Sequence, residues 1–323
     1  MLPRTMSILL SLALVAAHAP AALAQAYPSK SVRIVVPFPP GGTADIFTRV
    51  IAQKMTEAWG QTVLVENRPG AGTVIGTQFV ARSPGDGYTL LVMANSFTIG
   101  PSVRANLPYD ALKDFAPVTE LVYSPNVVAV NPSVPARTLQ ELIALARAQP
   151  GKLSYATVGP AATQHVAGEM LKQAAKIDLI YVPFPGGAPS VAAVVGGHVN
   201  IVIANISEVM PHIEAGRLRA LAITSRERDP TLKSVPTVME SGIKDYEVIT
   251  WFGVVAPAGT PPDVVAKINA EMARVLKLPD VREKLTQQGL YPIGSSPEQL
   301  GARIRSEIAR YAVVVKEAGI KAD

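Results

Sequence analysis

The chain has 323 residues, of which 48% are hydrophobic and 17% charged, with a net charge of +5 and no cysteine. Such a length exceeds what one core usually holds, so two lobes are expected, and the composition is not that of a disordered chain. The missing cysteines exclude disulfides, thiolate catalysis and a lipid-modified N-terminal cysteine, while the thinly spread charge, with no basic run among aromatics, argues against nucleic acid as a partner.

Arg4, an apolar run over 6–17 and AALAQA (21–26) read as a secretory signal peptide cut after Ala24 or Ala26. The run is too short for a membrane span and no stop-transfer pattern follows it. Residues 1–26 are therefore expected to be removed on export to the periplasm; a short uncleaved anchor is the alternative.

From Ser31 onward, apolar runs alternate with helical patterns. VRIVV (32–36) reads as a buried strand. TADIFTRVIAQKMTEAW (43–59) reads as an amphipathic helix with Ile46, Val50, Ile51 and Met55 on one face. TVLVE (62–66), a helix over about 73–82 and YTLLVMA (88–94) follow. A second set begins after NPSVPARTLQ, where Thr138 is placed to cap a helix over 139–148 and Glu141 sits at the capping-box position. LSYATV (153–158), DLIYVPF (178–184), VNIVIA (199–204) and LRALAIT (218–224) are strands, with helices starting near Thr163, Ala188 and Ser207. Helices at 261–276 and 296–319 close the chain. Alternation of this kind predicts an α/β fold of crossover units, with two mostly parallel sheets flanked by helices.

LVYSPNVVAVNP (121–132) and YEVITWFGVVAP (246–257) exceed the length of an ordinary strand and lack helical periodicity. They are expected to cross between the lobes as two hinge strands. The division is then 27–125 plus 252–323 for lobe 1 and 126–251 for lobe 2, with the place of the last helix open. One continuous sheet with long edge strands is the competing layout.

VPFPPGGTAD (36–45) returns as VPFPGGAPS (182–190) about 140 residues later. Both copies stand after a strand and before a helix, the position where open α/β sheets bind ligands. Pro37, Pro39 and Pro40 fix the first loop, Gly41 and Gly42 bare its backbone N–H groups, and Thr43 is placed to cap a helix whose N-terminus favours an anion. Each copy alone also reads as an ordinary proline-glycine turn; the pairing in two lobes favours two jaws around one small anion. Asp45 has two readings, as a first-turn carboxylate that steadies its helix or as a group that holds the loop or a water for the ligand. NRPGAGTVIG (67–76) misses the dinucleotide spacing and reads first as a structural turn, with a backbone contribution to the anion site as the alternative.

The candidate site gathers Phe38, Pro40, Gly41, Gly42, Thr43 and Asp45 from the first loop. Phe184, Pro185, Gly186, Gly187 and Ala188 come from the second. Ser96, Thr157, Gly159, Thr163, Gln164 and Asn205 supply neutral polar groups and bare backbone at strand ends. No enzyme motif accompanies them. His165, His198 and His212 occur singly, outside any metal-ligand spacing, and no G-x-S-x-G elbow occurs. No cofactor is expected. An exported hydrolase built on Ser96 or Ser154 is the enzymatic alternative.

VPFPPGGTAD with Arg49, ENRPGAGTVIG, SYATVGPAATQHVAGEM, VPFPGGAPS with GGHVN, and EAGRLRALAITS occur in an order that resembles the TctC/Bug family over essentially the whole chain after the leader. The resemblance implies a two-lobed, Venus-flytrap periplasmic receptor of tripartite tricarboxylate transport. It further implies a small carboxylate, organic acid or amino acid, held by the two proline-glycine loops. The implied partners are membrane permease subunits or a sensor kinase, and a monomer is expected. Three departures from the family's pattern fall at Ala161 and Ala162 before Thr163, at Pro185, and at Asn200; they bear on the distal end of the ligand.

Overall fold

The computed structural model describes residues 27–159, 161–317 and 319–320; the expected signal peptide lies outside them. Strand β1 (Val32–Val36) leads into helix α1 (Thr43–Trp59), β2 (Val63–Asn67), α2 (Val74–Ala81), β3 (Thr89–Ala94) and α3 (Ser96–Val103). β1 pairs in parallel with both β2 and β3, as strands joined by crossover helices do. The β1 residues Val32, Val35 and Val36 are fully buried, so this short run has a packed layer on each face.

Strand β4 (Phe115–Val130) then carries the chain into the second lobe. There α4 (Leu139–Ala148), β5 (Ser154–Val158), α5 (Thr163–Ala175), β6 (Ile180–Phe184), α6 (Gly187–Val195), β7 (Ile201–Asn205), α7 (Ile206–Glu214) and β8 (Arg219–Ile223) follow. Thr138 caps α4 by accepting a bond from Glu141 N at 3.1 Å, a contact worth about 1 kcal/mol. The chain returns along β9 (Ile249–Pro257) and ends in α8 (Pro262–Lys277), α9 (Pro279–Thr286), β10 (Tyr291–Pro292) and α10 (Pro297–Glu317).

The strand order is β2-β1-β3-β9-β4-β7-β5-β6, with β10 and β8 also paired to β4. The crossover strands are parallel to one another, whereas β9 runs antiparallel to both β3 and β4, and β4 antiparallel to β7 and β8. The sheets are thus mixed, because each strand that passes between lobes arrives from the opposite direction. β4 belongs to both sheets: residues 115–125 pair with β9 and residues 126–130 with β7. Tyr246 and Val248 pack in the second core before β9 enters the first sheet.

Two helices and a short strand differ from the sequence reading. SFTIGPSV, of which ANSFT (94–98) reads in sequence as a polar loop after a strand, is α3 despite Gly100 and Pro101, and α10 packs along it. PDVREKLT forms α9, which buries only Val281 and Leu285 and so shows a weak periodic signal. β10 is two residues long and pairs with β4 at Val122 and Tyr123. The far end of α10 joins α3 and α5 in one apolar cluster through Ile99, Val103, Val166, Tyr311 and Val315, so the last helix touches both lobes.

Candidate functional site

A cavity of about 240 Å³ opens between the two sheets, at the N-terminal ends of α1, α3, α5, α6 and α7. Phe38, Gly42 and Thr43 line it from the first proline-glycine loop, and Phe184, Pro185, Gly186, Gly187 and Ala188 from the second. Ser96, Gly159, Thr163, Gln164 and Asn205 complete the expected lining. Pro40, Gly41, Asp45 and Thr157 do not line it: Pro40 and Gly41 are exposed, and Asp45 and Thr157 are buried.

Asp45 explains its own place. Its Oδ2 accepts from Gly41 N at 3.0 Å, and its Oδ1 accepts from Arg49 Nε at 2.9 Å and Asn67 Nδ2 at 3.0 Å. Asn67 Nδ2 also donates to Phe38 O at 3.2 Å. Burial pushes the Asp45 carboxyl up, but the bonds from Arg49, Gly41 and Asn67 outweigh it and hold the group below the usual carboxylate range. Of its two sequence readings, bracing the loop is the one these bonds describe. Gly41 adopts φ +80, a conformation that side chains resist.

The threonines at the helix starts do not cap them. Gly42 is the N-cap of α1 and Ala162 that of α5, neither with a side-chain cap bond. Both hydroxyls turn elsewhere. Thr43 Oγ1 lies 2.7 Å from Ser207 Oγ and accepts from Asn205 Nδ2 at 3.1 Å, while Thr163 Oγ1 lies 2.7 Å from Thr250 Oγ1 on β9. Gln164 Nε2 donates to both Asn205 Oδ1 and Thr250 Oγ1 at 3.3 Å. Thr43 on α1 and Ser207 on α7 come from opposite sheets, so these bonds close the cleft.

The expected cradle between the two loops is filled by a carboxylate of the protein itself. Glu208, the third residue of α7, accepts from Thr43 N through Oε1 at 3.2 Å, so a lobe 2 side chain satisfies an orphan N–H of lobe 1's first helix. The same carboxylate lies against Gly187, where an added Cβ would collide with both oxygens. Its Oε2 is buried and has no hydrogen-bond partner among the described residues. Burial raises the Glu208 pKa, opposed by the Thr43 and Asn205 donors.

Among the described residues, Arg104, at the C-terminus of α3, is the other charged residue of the cavity wall. Its guanidinium covers Gly72, and its Nε is buried without a partner among the described residues. Sequence reasoning singled out neither Arg104 nor Glu208, nor Thr250. Glu208 had a visible signal, an acid at the third position of a helix that follows a strand, the same position as Asp45.

Among the described residues, the cavity wall carries neither histidine nor lysine. His165 stacks on Tyr181 with ring centroids 4.0 Å apart, and His198 is exposed. Ser96 accepts from Thr73 Oγ1 at 3.3 Å, and Ser154 donates to Asn200 Oδ1 at 3.1 Å, away from the cavity. Among the described residues, the hydrogen-bond partners of these serines are neutral: Thr73 for Ser96 and Asn200 for Ser154.

Residues 47–320 match the family model described as "Tripartite tricarboxylate transporter family receptor".

The chain belongs to the TctC family.

It is 37% identical to the protein BugT of Bordetella pertussis over 92% of this chain and 92% of that one. R. palustris Rpa4515, solved with adipate, superposes with a TM-score of 0.90 at 35% identity, covering 92% of this chain and all of that one. MatC from Rhodopseudomonas palustris, solved with malate, gives 0.85 at 33% identity over 90% of this chain and all of that one. TctC proteins are periplasmic solute-binding receptors, and the two-lobed α/β fold described above is theirs. Among the described residues, no helix is long and apolar enough to cross a membrane.

Proposed function

We propose that this TctC receptor is exported with residues 1–26 removed, captures a small carboxylate in the interlobe cleft, and delivers it as a monomer to the permease subunits of a tripartite tricarboxylate-type transporter. The cavity-lining residues of the two proline-glycine loops, with Ser96, Gly159, Thr163, Gln164 and Asn205, are its binding residues; Asp45 holds the first loop through Gly41, next to Pro40, and Thr157 lies in the strand that leads to Gly159. Lobes of 27–125 plus 252–323 and of 126–251 move about β4 and the passage into β9. No chemical step is required of it.

The observation that carries this reading is a cavity shared by both lobes and crossed by hydrogen bonds from Thr43 to Ser207 and Glu208. A closure of this kind converts ligand binding into a change of shape, because ligand favours whichever state contacts it from both sides. The cavity lies below the about 300–1,000 Å³ typical of drug-sized ligands, which suits a small acid. TctC relatives solved with adipate and malate supply the ligand class by similarity.

The test is a thermal-shift screen of the mature protein, unfolded and refolded to release carried-over ligand, against carboxylates of graded length and charge. A ligand at 100 times its dissociation constant adds about 2.7 kcal/mol, a shift of several degrees. One carboxylate series standing out, with compaction in solution scattering, is the expected result. A flat screen from folded protein sinks the reading.

A further inference from the structure

Among the described residues two charged side chains line the cavity, one of each sign, and each buries an atom without a partner there: Arg104 Nε and Glu208 Oε2. A buried, unpaired ionic group is costly unless something arrives to pair with it. Structural requirements do not account for either atom. Glu208 already caps α1 through Oε1 alone, and Arg104 makes no ion pair among the described residues. Granted the receptor reading above, we infer that the ligand is an aminocarboxylate zwitterion, its carboxylate held on the Arg104 side of the cavity and its ammonium on Glu208, and that Glu208 selects against dicarboxylates.

Charge supports the choice of an ammonium over a second carboxylate. The wall's two charges cancel, so a zwitterion leaves the closed cavity neutral, with an opposite charge for each end of the ligand. A dicarboxylate would leave a net double negative charge and set one of its ends toward Glu208, like against like, in a site screened little by water. An ammonium has donors for Oε2, and a charge-assisted bond there is about twice as strong as one from a neutral donor. Glu208 is also held where it is. Thr43 N binds one oxygen, the start of its own helix lies beneath it, and Gly187 leaves room for the carboxylate that any side chain would take. A glutamate so fixed changes what the cradle recognises, because its carboxylate already occupies the crossing point of the two loops and turns an anion site into an acceptor for a cation. The solved relatives with adipate and malate hold diacids, so the inference sets this chain apart from them.

Calorimetry of the refolded mature protein with length-matched pairs tests it: β-alanine against malonate, γ-aminobutyrate against succinate, δ-aminovalerate against glutarate and ε-aminocaproate against adipate. At least one amino acid of the set is expected to bind about tenfold or more tightly than its diacid. Glu208→Gln, which keeps the shape and removes the charge, is expected to weaken that amino acid by about tenfold while the diacid holds or gains. Arg104→Gln is expected to weaken both, and circular dichroism checks that both variants are folded. Preference for the diacid in the unmodified protein overturns the inference and leaves the receptor standing. So does an unchanged preference in Glu208→Gln, or an equal gain for both series, which would make Glu208 a plug displaced by ligand. Binding of neither series, with no other carboxylate bound, sinks both the receptor reading and this one.

Discussion

The two proline-glycine loops read almost alike in sequence but owe their shapes to different things. The first is braced from within: Asp45 bonds Gly41, Arg49 and Asn67, and Asn67 reaches Phe38 O, all in one lobe. Among the described residues no carboxylate hydrogen-bonds the second, although Glu208 lies against its Gly187. Gly186 is extended, with φ −175, and presses toward Pro39 of the other lobe, where a Cβ would come within 2.9 Å of Cδ. The two acids at third helical positions show the same division. Asp45 folds back onto its own loop, while Glu208 crosses the cleft to cap the opposite helix. One loop is braced within its own lobe, and the other meets its counterpart across the cleft. A repeated motif therefore need not mean repeated mechanics; what surrounds the motif decides.

The comparison breaks most sharply at the glycines. Gly187→Val places a side chain on the Glu208 carboxylate, so ligand affinity is expected to fall by about 100-fold or more, roughly 2.7 kcal/mol. Its circular dichroism should match the parent protein. Gly41→Val meets no atom within 4 Å, and its penalty comes from φ +80 instead, about 1–3 kcal/mol of stability. Calorimetry and denaturant melts on both variants separate a clash across the cleft from strain within one loop. Equal losses of affinity would erase the distinction.

Asp45→Asn comes next. It is expected to cost about 1–3 kcal/mol by leaving loop donors badly matched. Because the Asp45 pKa is lowered on folding, its stabilisation is present above the ordinary value of 3.8 and disappears as pH falls through the depressed one. Denaturation midpoints of the parent and Asp45→Asn should therefore converge in acid. A gap that persists at low pH would show that the carboxylate's charge is not what braces the loop.

Glu208 has the opposite sign. A carboxyl whose pKa is raised on folding binds more protons folded than unfolded, so the ligand-free protein loses stability as pH rises from 4.5 through the raised value. Arg104 is the other charged group of the cavity, and the donors facing Glu208 belong to Thr43 and Asn205. Glu208→Gln is expected to remove that decline and to melt a few degrees higher than the parent at neutral pH without ligand. A lower melting point would mean that the charge is already paired.

The smallest effect belongs to Ser207→Ala, which removes the 2.7 Å bond to Thr43 and leaves Asn205 on the same hydroxyl. About 0.5–1.5 kcal/mol of closure is at stake, a loss of affinity of roughly two- to tenfold read by calorimetry.

Much of the fold was legible because its strands are short, apolar and bounded by prolines and glycines, as VRIVV and VNIVIA are. The loops were legible for the same reason, since proline and glycine reveal backbone geometry directly. Tertiary decisions were not. The Gly100-Pro101 pair speaks against a helix locally, and only packing against α10 makes residues 96–103 helical; with that helix hidden, Arg104 had no visible place. Glu208 was overlooked because a first-turn acid has a sufficient local explanation in the helix dipole. Nothing in the sequence says that it turns across the cleft while Asp45 turns home. Thr43 differs from its expected cap for the same reason: its hydroxyl bonds groups of the opposing lobe, whereas Thr138, with no lobe facing it, caps as expected.

The sharing of β4 between the two sheets bears on how this molecule moves. Along residues 115–125 its partner is β9, with register shifts between Pro117 and Thr119 and between Glu120 and Val122. Irregularities of this kind add right-handed twist to a ribbon. The lobes are thus joined by a hydrogen-bonded band rather than by slack linkers, and opening the cleft without breaking that band means winding it further or letting it unwind.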